Sequence, residues 1–405
     1  MKRKVIFVNI GGNPMLGGGG MGFTEGGLAH AVSALCELAS DHDVKVLCPN
    51  VGDSEKTTEV EYREIPIVSL GVPWYLRWMK VRELSLTEAH WRTLLHWPTA
   101  VARFVQTWKY LKCEKPDVVI ANGVFASVLL RFARGRIPVR AGVIHHLYHT
   151  RSFGSSPGHR LRVVQLLERI MLNLVQADVL GVVSPLVGDE LARNGFSKED
   201  VVVVGNGVDI DRYPFVEHKT PNSVVYVGRL RGPKRVGLLV DMIALVRERI
   251  PDVRLHLVGD GPKGKEVAER VVQRGVEDNV VMHGFLPEEE KVDLLSSCAV
   301  YVSQSEFEGF GIPLVEAMAS GTVPVVSDIP AHRFVFQGRE VGYLVGSVEE
   351  MAERVVELLR DERKRSAMAA EGRRLVEERW TWKQVGERYR ELLRVGECRA
   401  RAAGA

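Results

Sequence analysis

Short runs rich in valine and isoleucine recur along the whole chain, and between them apolar residues return with helical spacing. The runs are Val5–Ile10, Val44–Cys48, Asp117–Ala121, Ala141–His145, Val179–Val183 and Val201–Val204, then Val224–Val227, Arg254–Val258, Val280–Met282, Val300–Val302, Val323–Val326 and Tyr343–Val345. Continuous apolar strands alternating with helices make parallel sheets covered on both faces. Twelve strands exceed what one twisted sheet holds comfortably, so the chain reads as α/β with two doubly wound domains. A length of 405 residues gives each domain enough chain to bury its own core. The boundary is expected at Asn206–Pro221, where Gly, Pro and Asn interrupt the periodicity. In such folds ligands bind beyond the carboxyl ends of the strands, and two domains can face each other across a cleft.

Bulk properties remove several function classes. The 54 basic and 51 acidic residues leave a net charge of +3, so no overall field argues for nucleic acid. Cys36, Cys48, Cys113, Cys298 and Cys398 are odd in number and without paired spacing, which suits a reducing compartment and gives no zinc signature. The opening MKRKVIFVNIGG reads as a first buried strand, too short for the apolar region of a signal peptide. No run approaches the roughly 20 apolar residues that span a bilayer. The chain is expected in the cytoplasm, or peripheral on the inner face of the membrane.

The segment Glu306–Gly321, EFEGFGIPLVEAMASG, carries the most chemical information. It sets Glu308 and Glu316 eight positions apart, with a glycine-flanked Phe310 and Pro313 between them. Proline suits the start of a helix, so Glu308 falls on the approach loop and Glu316 in the first turn or so. Unpaired amides around Phe310 to Leu314 would attract phosphate, and the acids beside them would accept from hydroxyls. A phosphate flanked by hydroxyl-rich groups describes a sugar nucleotide. The same spacing also fits an amphipathic helix with solvated glutamates, or an acid/base pair for glycoside chemistry.

Other candidates lie at strand ends. The loop Gly228–Arg235 follows a strand and offers Arg229 and Lys234 as cations for a diphosphate; two charge-assisted hydrogen bonds of roughly 1.5–3 kcal/mol each could hold it without metal. Asp209 and Asp211 form a D-x-D triplet but lie in the interdomain connection, and no metal site is expected there. The loop Gly11–Gly27 follows the first strand, and its Gly17, Gly19 and Gly22 match G-x-G-x-x-G. Cys48, Pro49 and Asn50 stand where a dinucleotide enzyme carries a ribose-binding acid, so an NAD oxidoreductase is not favoured and a loop ordering over substrate fits better. His145 and His146 close the fourth strand. Residues 74–112 hold Trp74, Trp78, Trp91, Trp97 and Trp108 with Arg77, Lys80, Arg82, Arg92, Arg103, Lys109 and Lys112. That mixture suits a peripheral membrane contact or an amphiphilic acceptor, and equally helices packed by tryptophan with basic residues in water. The small, basic residues 395–405 read as a frayed end.

Several segments together resemble one family, the retaining GT-B glycosyltransferases of family 4. They are GGLAHAVSALCELASDHDVKVL, KPDVVIANG, GNGVDIDRY, VGRLRGPKRV, HLVGDGP, VMHGFLP, EFEGFGIPLVEAMASGTVPVVS and WTWKQVGERY, in the family's order and covering nearly the whole chain. The glutamate-rich segment is the specific one. The resemblance implies two Rossmann-like domains: residues 1–205 on the acceptor side, residues 206–383 holding the donor, and a last helix, 384–405, packing back on the first. It implies that Arg229 and Lys234 contact the donor diphosphate and Glu308 the hydroxyls of the transferred sugar. The amides of Phe310, Gly311, Ile312 and Leu314 would meet sugar and phosphate, Glu316 the ribose hydroxyls, and Phe285 the base. Gly26 and Gly27 match a glycine pair near the phosphates, and His145 a histidine beside the sugar, with His146 leaving the register open. The activity implied is transfer from a nucleoside-diphosphate sugar to an acceptor hydroxyl (of a glycan, a small molecule or a lipid-linked compound), with no cofactor or metal. The alternatives are a sugar-nucleotide epimerase of the same fold and a non-catalytic sugar-nucleotide binder.

Overall fold

A computed structural model describes residues 2–9, 27–49, 58–62, 64–70, 97–145, 147 and 159–404. The chain divides into two compact units, the second beginning at Asn206 and ending at Gln384, after which Val385–Ala405 return to the first.

The first unit is built on an eight-stranded sheet in the order β3-β4-β2-β1-β5-β6-β7-β8. The strands are β1 (Arg3–Val8), β2 (His42–Pro49), β3 (Thr58–Tyr62), β4 (Ile65–Leu70), β5 (Val118–Asn122), β6 (Val139–Ile144), β7 (Val179–Val182) and β8 (Val201–Val203). All neighbours are parallel except β3, which runs antiparallel to β4. The valine and isoleucine runs foretold the parallel strands but not the β3–β4 hairpin. TEVEY alternates apolar and charged residues, as suits an edge strand, and Glu64 takes a left-handed φ of +64° in the turn. Pro66 faces Glu61 on the antiparallel side, and the ladder to β2 starts one residue later, at Ile67 with Val46, so the missing N–H is no loss. One core of this unit packs Ile6, Val8, Leu47, Val119 and Ala121 of the sheet against Leu111, Leu129 and Leu130.

The second unit carries a six-stranded, wholly parallel sheet in the order β11-β10-β9-β12-β13-β14. These strands are β9 (Ser223–Val227), β10 (Arg254–Val258), β11 (Val280–Gly284), β12 (Val300–Ser303), β13 (Val323–Ser327) and β14 (Tyr343–Val345). Counting from β9, this is the order 3-2-1-4-5-6 of doubly wound nucleotide-binding sheets, with its reversal between β9 and β12. The core joins Val224, Tyr226, Leu255, Leu257, Val300, Val302, Val323 and Val325 to the helices Val236–Arg247 and Val348–Arg360.

The helix Trp382–Gly404 runs through the residues expected to fray. From Val385 onward it packs in the first unit: Arg388 Nε donates to Val204 O at 2.7 Å, Arg390 binds Asp41 and the Glu37 carbonyl, Glu397 pairs with Arg3, and Arg399 with Asp200. Gly396 permits this, because a Cβ there would stand 2.9 Å from Val179 Cγ1. The Trp-rich segment is described only in part, since residues 71–96 lie outside the described residues. In the helix Trp97–Glu114, Phe104 packs edge-on against Phe132 at 5.4 Å, and Trp108 receives Lys112 and Arg136 on its ring. Among the described residues no helix is long and apolar enough to cross a membrane.

The loops leaving β9, β10 and β11 are laced together by backbone. Gly228 N–H donates to Val258 O, Leu230 N–H to Asp260 O, and Gly259 N–H to Gly284 O at 2.7 Å. Gly259 has φ +123°, and a Cβ on it would lie 2.1 Å from Gly228 O. Gly259→Ala is therefore expected to lower stability by about 1–3 kcal/mol or more in urea unfolding. Gly275→Ala, also at positive φ but in open space, should cost less; equal losses would contradict the close approach.

Candidate functional site: the carboxyl ends of β9, β12 and β13

After β9 the chain passes Arg229, makes one 3₁₀ turn over Gly232–Lys234, and enters the helix Val236–Arg247 through Arg235 in the left-handed region, φ +48°. From Ser303, the last residue of β12, it passes Gln304 and Ser305 into a loop, and enters the helix Ile312–Ala319 through Gly311, φ +99°. The strand order reverses between these two strands, so their loops diverge and leave a crevice between them. Across it Glu306 N–H donates to Pro233 O at 2.8 Å, and Arg235 pairs with Glu306 at 2.9 Å. Lys234 Nζ donates to Glu308 Oε1, an oxygen that also accepts from Ser305 Oγ at 2.8 Å. The lysine and glutamate side chains keep 27% and 16% of their exposure, so the pair is partly desolvated yet reachable.

A polar chain supports this loop from beneath. Ser303 Oγ lies 3.0 Å from Ser305 Oγ, Ser327 Oγ at the end of β13 donates to Ser305 O at 2.6 Å, and His332 Nδ1 donates to Ser327 O at 2.7 Å. A carbonyl can only accept, so the Nδ1 of buried His332 carries the proton; the opposite ring edge faces Gly311, with Nε2 3.8 Å from where a Cβ would stand. Burial pushes the His332 pKa below the ordinary histidine value.

Glu316, fifth residue of its helix, is 4% exposed. Its Oε1 accepts from Tyr213 Oη at 2.7 Å and Lys291 Nζ at 3.1 Å. The two glutamates that the sequence sets side by side thus occupy different surroundings: Glu308 at the mouth on a cation, Glu316 deeper in a buried cluster. Both, with Lys234, belong to one unit and flank one helix start. By its chemistry such an arrangement offers a counter-charge for an anion at the lysine and acceptors for hydroxyls at both carboxylates.

The profile described as Glycosyl transferases group 1 matches residues 209–375, and that of Glycosyltransferase Family 4 residues 25–212. The MMP alpha-(1->4)-mannosyltransferase of Mycolicibacterium hassiacum is 30% identical over 305 residues, covering 70% of this chain and 72% of that protein. The chain belongs to the GT-B glycosyltransferases of family 4.

The poly(ribitol-phosphate) alpha-N-acetylglucosaminyltransferase of Staphylococcus aureus is 23% identical over 293 residues, 70% of this chain and 57% of that protein. The phosphatidyl-myo-inositol mannosyltransferase of Mycobacterium leprae is 33% identical over 211 residues, 49% and 54%. The chain thus spans little more than half the length of these two relatives. Among solved structures, Anabaena Alr3699/HepE in complex with UDP and glucose shares the fold at a TM-score of 0.69 and 20% identity, covering 97% of this chain and 99% of that one.

Arg229 is exposed at the end of β9, and its carbonyl accepts from Tyr226 Oη at 3.3 Å. Leu314 N–H is used inside the helix, donating to Gly311 O at 3.1 Å. Phe310 sends its side chain into an aromatic cluster, 5.2 Å from Trp380 and 6.3 Å from Phe334, leaving only its backbone to face a ligand. Phe285 is 63% exposed after Gly284, at the end of edge strand β11. In the first unit His145 Nε2 lies 2.7 Å from Asn122 Oδ1, and Asn122 Nδ2 reaches Asn9 Oδ1 at 3.4 Å, so His145 stands over the ends of β1, β5 and β6. Gly27 opens the helix Gly27–Leu38, whereas Gly26 and His146 lie outside the described residues. Among the described residues no group of three or more His, Cys, Asp or Glu could hold a metal ion.

Sequence reasoning missed Ser305, His332, Tyr213, Lys291 and Glu288. Only Glu288 and Lys291 left a trace, an i,i+3 charge pair opening a helix, which is too common to single out.

Because Phe310 anchors the loop by packing, Phe310→Ala is expected to destabilise by about 3–5 kcal/mol. Phe310→Leu should retain most of the stability in thermal melts; a neutral alanine variant would contradict the anchoring.

Proposed function

We propose that this glycosyltransferase moves a sugar from a nucleoside-diphosphate donor to an acceptor hydroxyl with retention of anomeric configuration and without a metal ion. The observation that carries the reading is the Lys234–Glu308 pair at the β9–β12 crevice, beside the helix start at Gly311 and Ile312. The donor diphosphate takes Lys234 and Arg229 as counter-charges, with the amides of Gly311 and Ile312 adding donors. Glu308, next to Lys234, accepts from hydroxyls of the transferred sugar. Glu316, in the same helix but deeper, accepts from the ribose, and Phe285 lies against the base. The UDP and glucose in the HepE structure and the named activities of the relatives support a donor of this class.

In the reaction the bond between the anomeric carbon and the β-phosphate oxygen breaks, and a bond to the acceptor oxygen forms on the same face. The acceptor proton passes to the departing diphosphate. Negative charge grows on that diphosphate, and in this reading Lys234, Arg229 and the helix amides offset it, a gain from electrostatic preorganisation. The acceptor is a hydroxyl compound such as a glycan, a small molecule or an amphiphilic, lipid-linked acceptor.

Thermal-shift screening with UDP-, GDP- and ADP-sugars is expected to identify one stabilising donor. With that donor, Lys234→Ala should lower turnover by about 10²–10³-fold while leaving the melting temperature nearly unchanged. Near-normal turnover would sink the assignment. EDTA should leave wild-type turnover intact, and conversion of donor to an isomer in the absence of acceptor would favour an epimerase instead. Glu308→Gln should alter discrimination among donor sugars more than nucleotide affinity, and Glu316→Gln the reverse.

A further inference from the structure

Glu316 sits in a largely buried cluster of four polar side chains drawn from three separate segments, with Glu288 at its more exposed edge. Tyr213 follows the 3₁₀ turn Ile210–Arg212, Glu288 and Lys291 lie on the helix Glu288–Ser297, and Glu316 lies on Ile312–Ala319. Lys291 Nζ has three protons and three acceptors: Glu316 Oε1 at 3.1 Å, Glu288 Oε1 at 2.9 Å and Tyr213 Oη at 3.1 Å. Tyr213 Oη lies 2.7 Å from Glu316 Oε1 and 2.9 Å from Glu288 Oε1, and has one proton for the two carboxylates. Arg373 Nη1 ties the Tyr213 carbonyl to the Ala319 carbonyl at the end of the Glu316 helix, both at 2.7 Å. Burial works against the charged lysine, but Glu316 and Glu288 outweigh it and raise the Lys291 pKa above its ordinary value.

The protein thereby commits one oxygen of Glu316 and not the other: Oε2 has no hydrogen-bond partner among the described residues. Buried ion clusters of this kind are seldom more stable than apolar packing of the same volume. This one fixes the rotamer of a carboxylate and saturates one of its two oxygens.

We infer that Lys291 and Tyr213 are positioning residues for nucleotide recognition, holding Glu316 so that Oε2 is the atom presented to the vicinal hydroxyls of the ribose. The inference rests on the reading of Glu316 as the ribose acceptor. Glu288 serves as the counter-acceptor that keeps Lys291 and Tyr213 centred on Oε1. The cluster therefore sets the preference for ribose over deoxyribose, although neither Lys291 nor Tyr213 touches the nucleotide.

The test is titration calorimetry on the full chain with UDP, GDP and ADP, each against its 2′-deoxy form, for wild type, Glu316→Gln, Lys291→Met, Lys291→Arg and Tyr213→Phe. Wild type is expected to prefer the ribose form of its nucleotide by about tenfold or more. Lys291→Met and Tyr213→Phe should lose most of that preference and raise the donor KM, with kcat within about twofold of wild type. Lys291→Arg should restore part of the preference, since it keeps charge and donors. If Glu316→Gln abolishes the preference while Lys291→Met and Tyr213→Phe retain it and only melt earlier, the cluster is structural and the inference is overturned. If Glu316→Gln itself keeps the wild-type preference, the underlying reading of Glu316 fails, and this inference with it. The conservative Tyr213→Phe and Lys291→Arg variants keep the comparison available should Lys291→Met fail to fold.

Discussion

The pairing of β9 with β12 governs the second unit. Val300 and Tyr301 register with Val224 and Val225, which aligns the carboxyl ends of two strands whose following loops turn away from each other. That divergence opens the crevice, and the chain spans it with opposite charges, Lys234 from one loop and Glu308 from the other. Residues 74 apart in sequence meet there because the sheet order reverses at that point. The Glu306-to-Pro233 backbone bond and the Arg235–Glu306 pair brace the same junction from outside the site.

Beneath the mouth, charge is managed by pairing that leaves Glu316 Oε2 open. Glu316 and Tyr213 are withdrawn from water and Lys291 nearly so, a costly state for isolated charges, while Glu288 keeps 32% of its side-chain exposure; each is held by another member of the set. Lys219 does similar work nearby, donating to the carbonyls of Ser296 and Ser320 at 2.7 and 2.8 Å and so closing the ends of the helices that carry Lys291 and Glu316. Its burial lowers its pKa to about 8. Helix-end carbonyls, a lysine and a buried carboxylate thus form a rigid floor, which suits a site that must hold donor atoms in fixed positions.

Most of the fold was legible because parallel strands buried on both faces are written as uninterrupted valine and isoleucine runs. The β3–β4 hairpin was not, since an edge strand such as TEVEY alternates like a solvated loop and Pro66 argues against a strand until its ladder is known. By composition the small, basic end of the chain read as frayed, whereas the family resemblance implied a last helix over 384–405; the fit of that helix depends on Gly396 lying against Val179. At the site, the glycine, proline and glutamate spacing of residues 306–321 marked the loop and helix that carry Glu308 and Glu316. It could not reveal that Phe310 turns inward, nor that Tyr213 and Lys291 converge on Glu316, because those contacts join segments 103 and 25 residues apart.

In the proposed reading the donor diphosphate occupies the β9–β12 crevice of the second unit. A crystal structure of the protein soaked with a slowly reacting 2-fluoro sugar nucleotide tests it most directly. Diphosphate oxygens are expected within hydrogen-bonding distance of Lys234 Nζ and of the Gly311 and Ile312 amides, with Glu308 turned to the sugar. Diphosphate density bound elsewhere, with Lys234 still engaged only by Glu308, would contradict it.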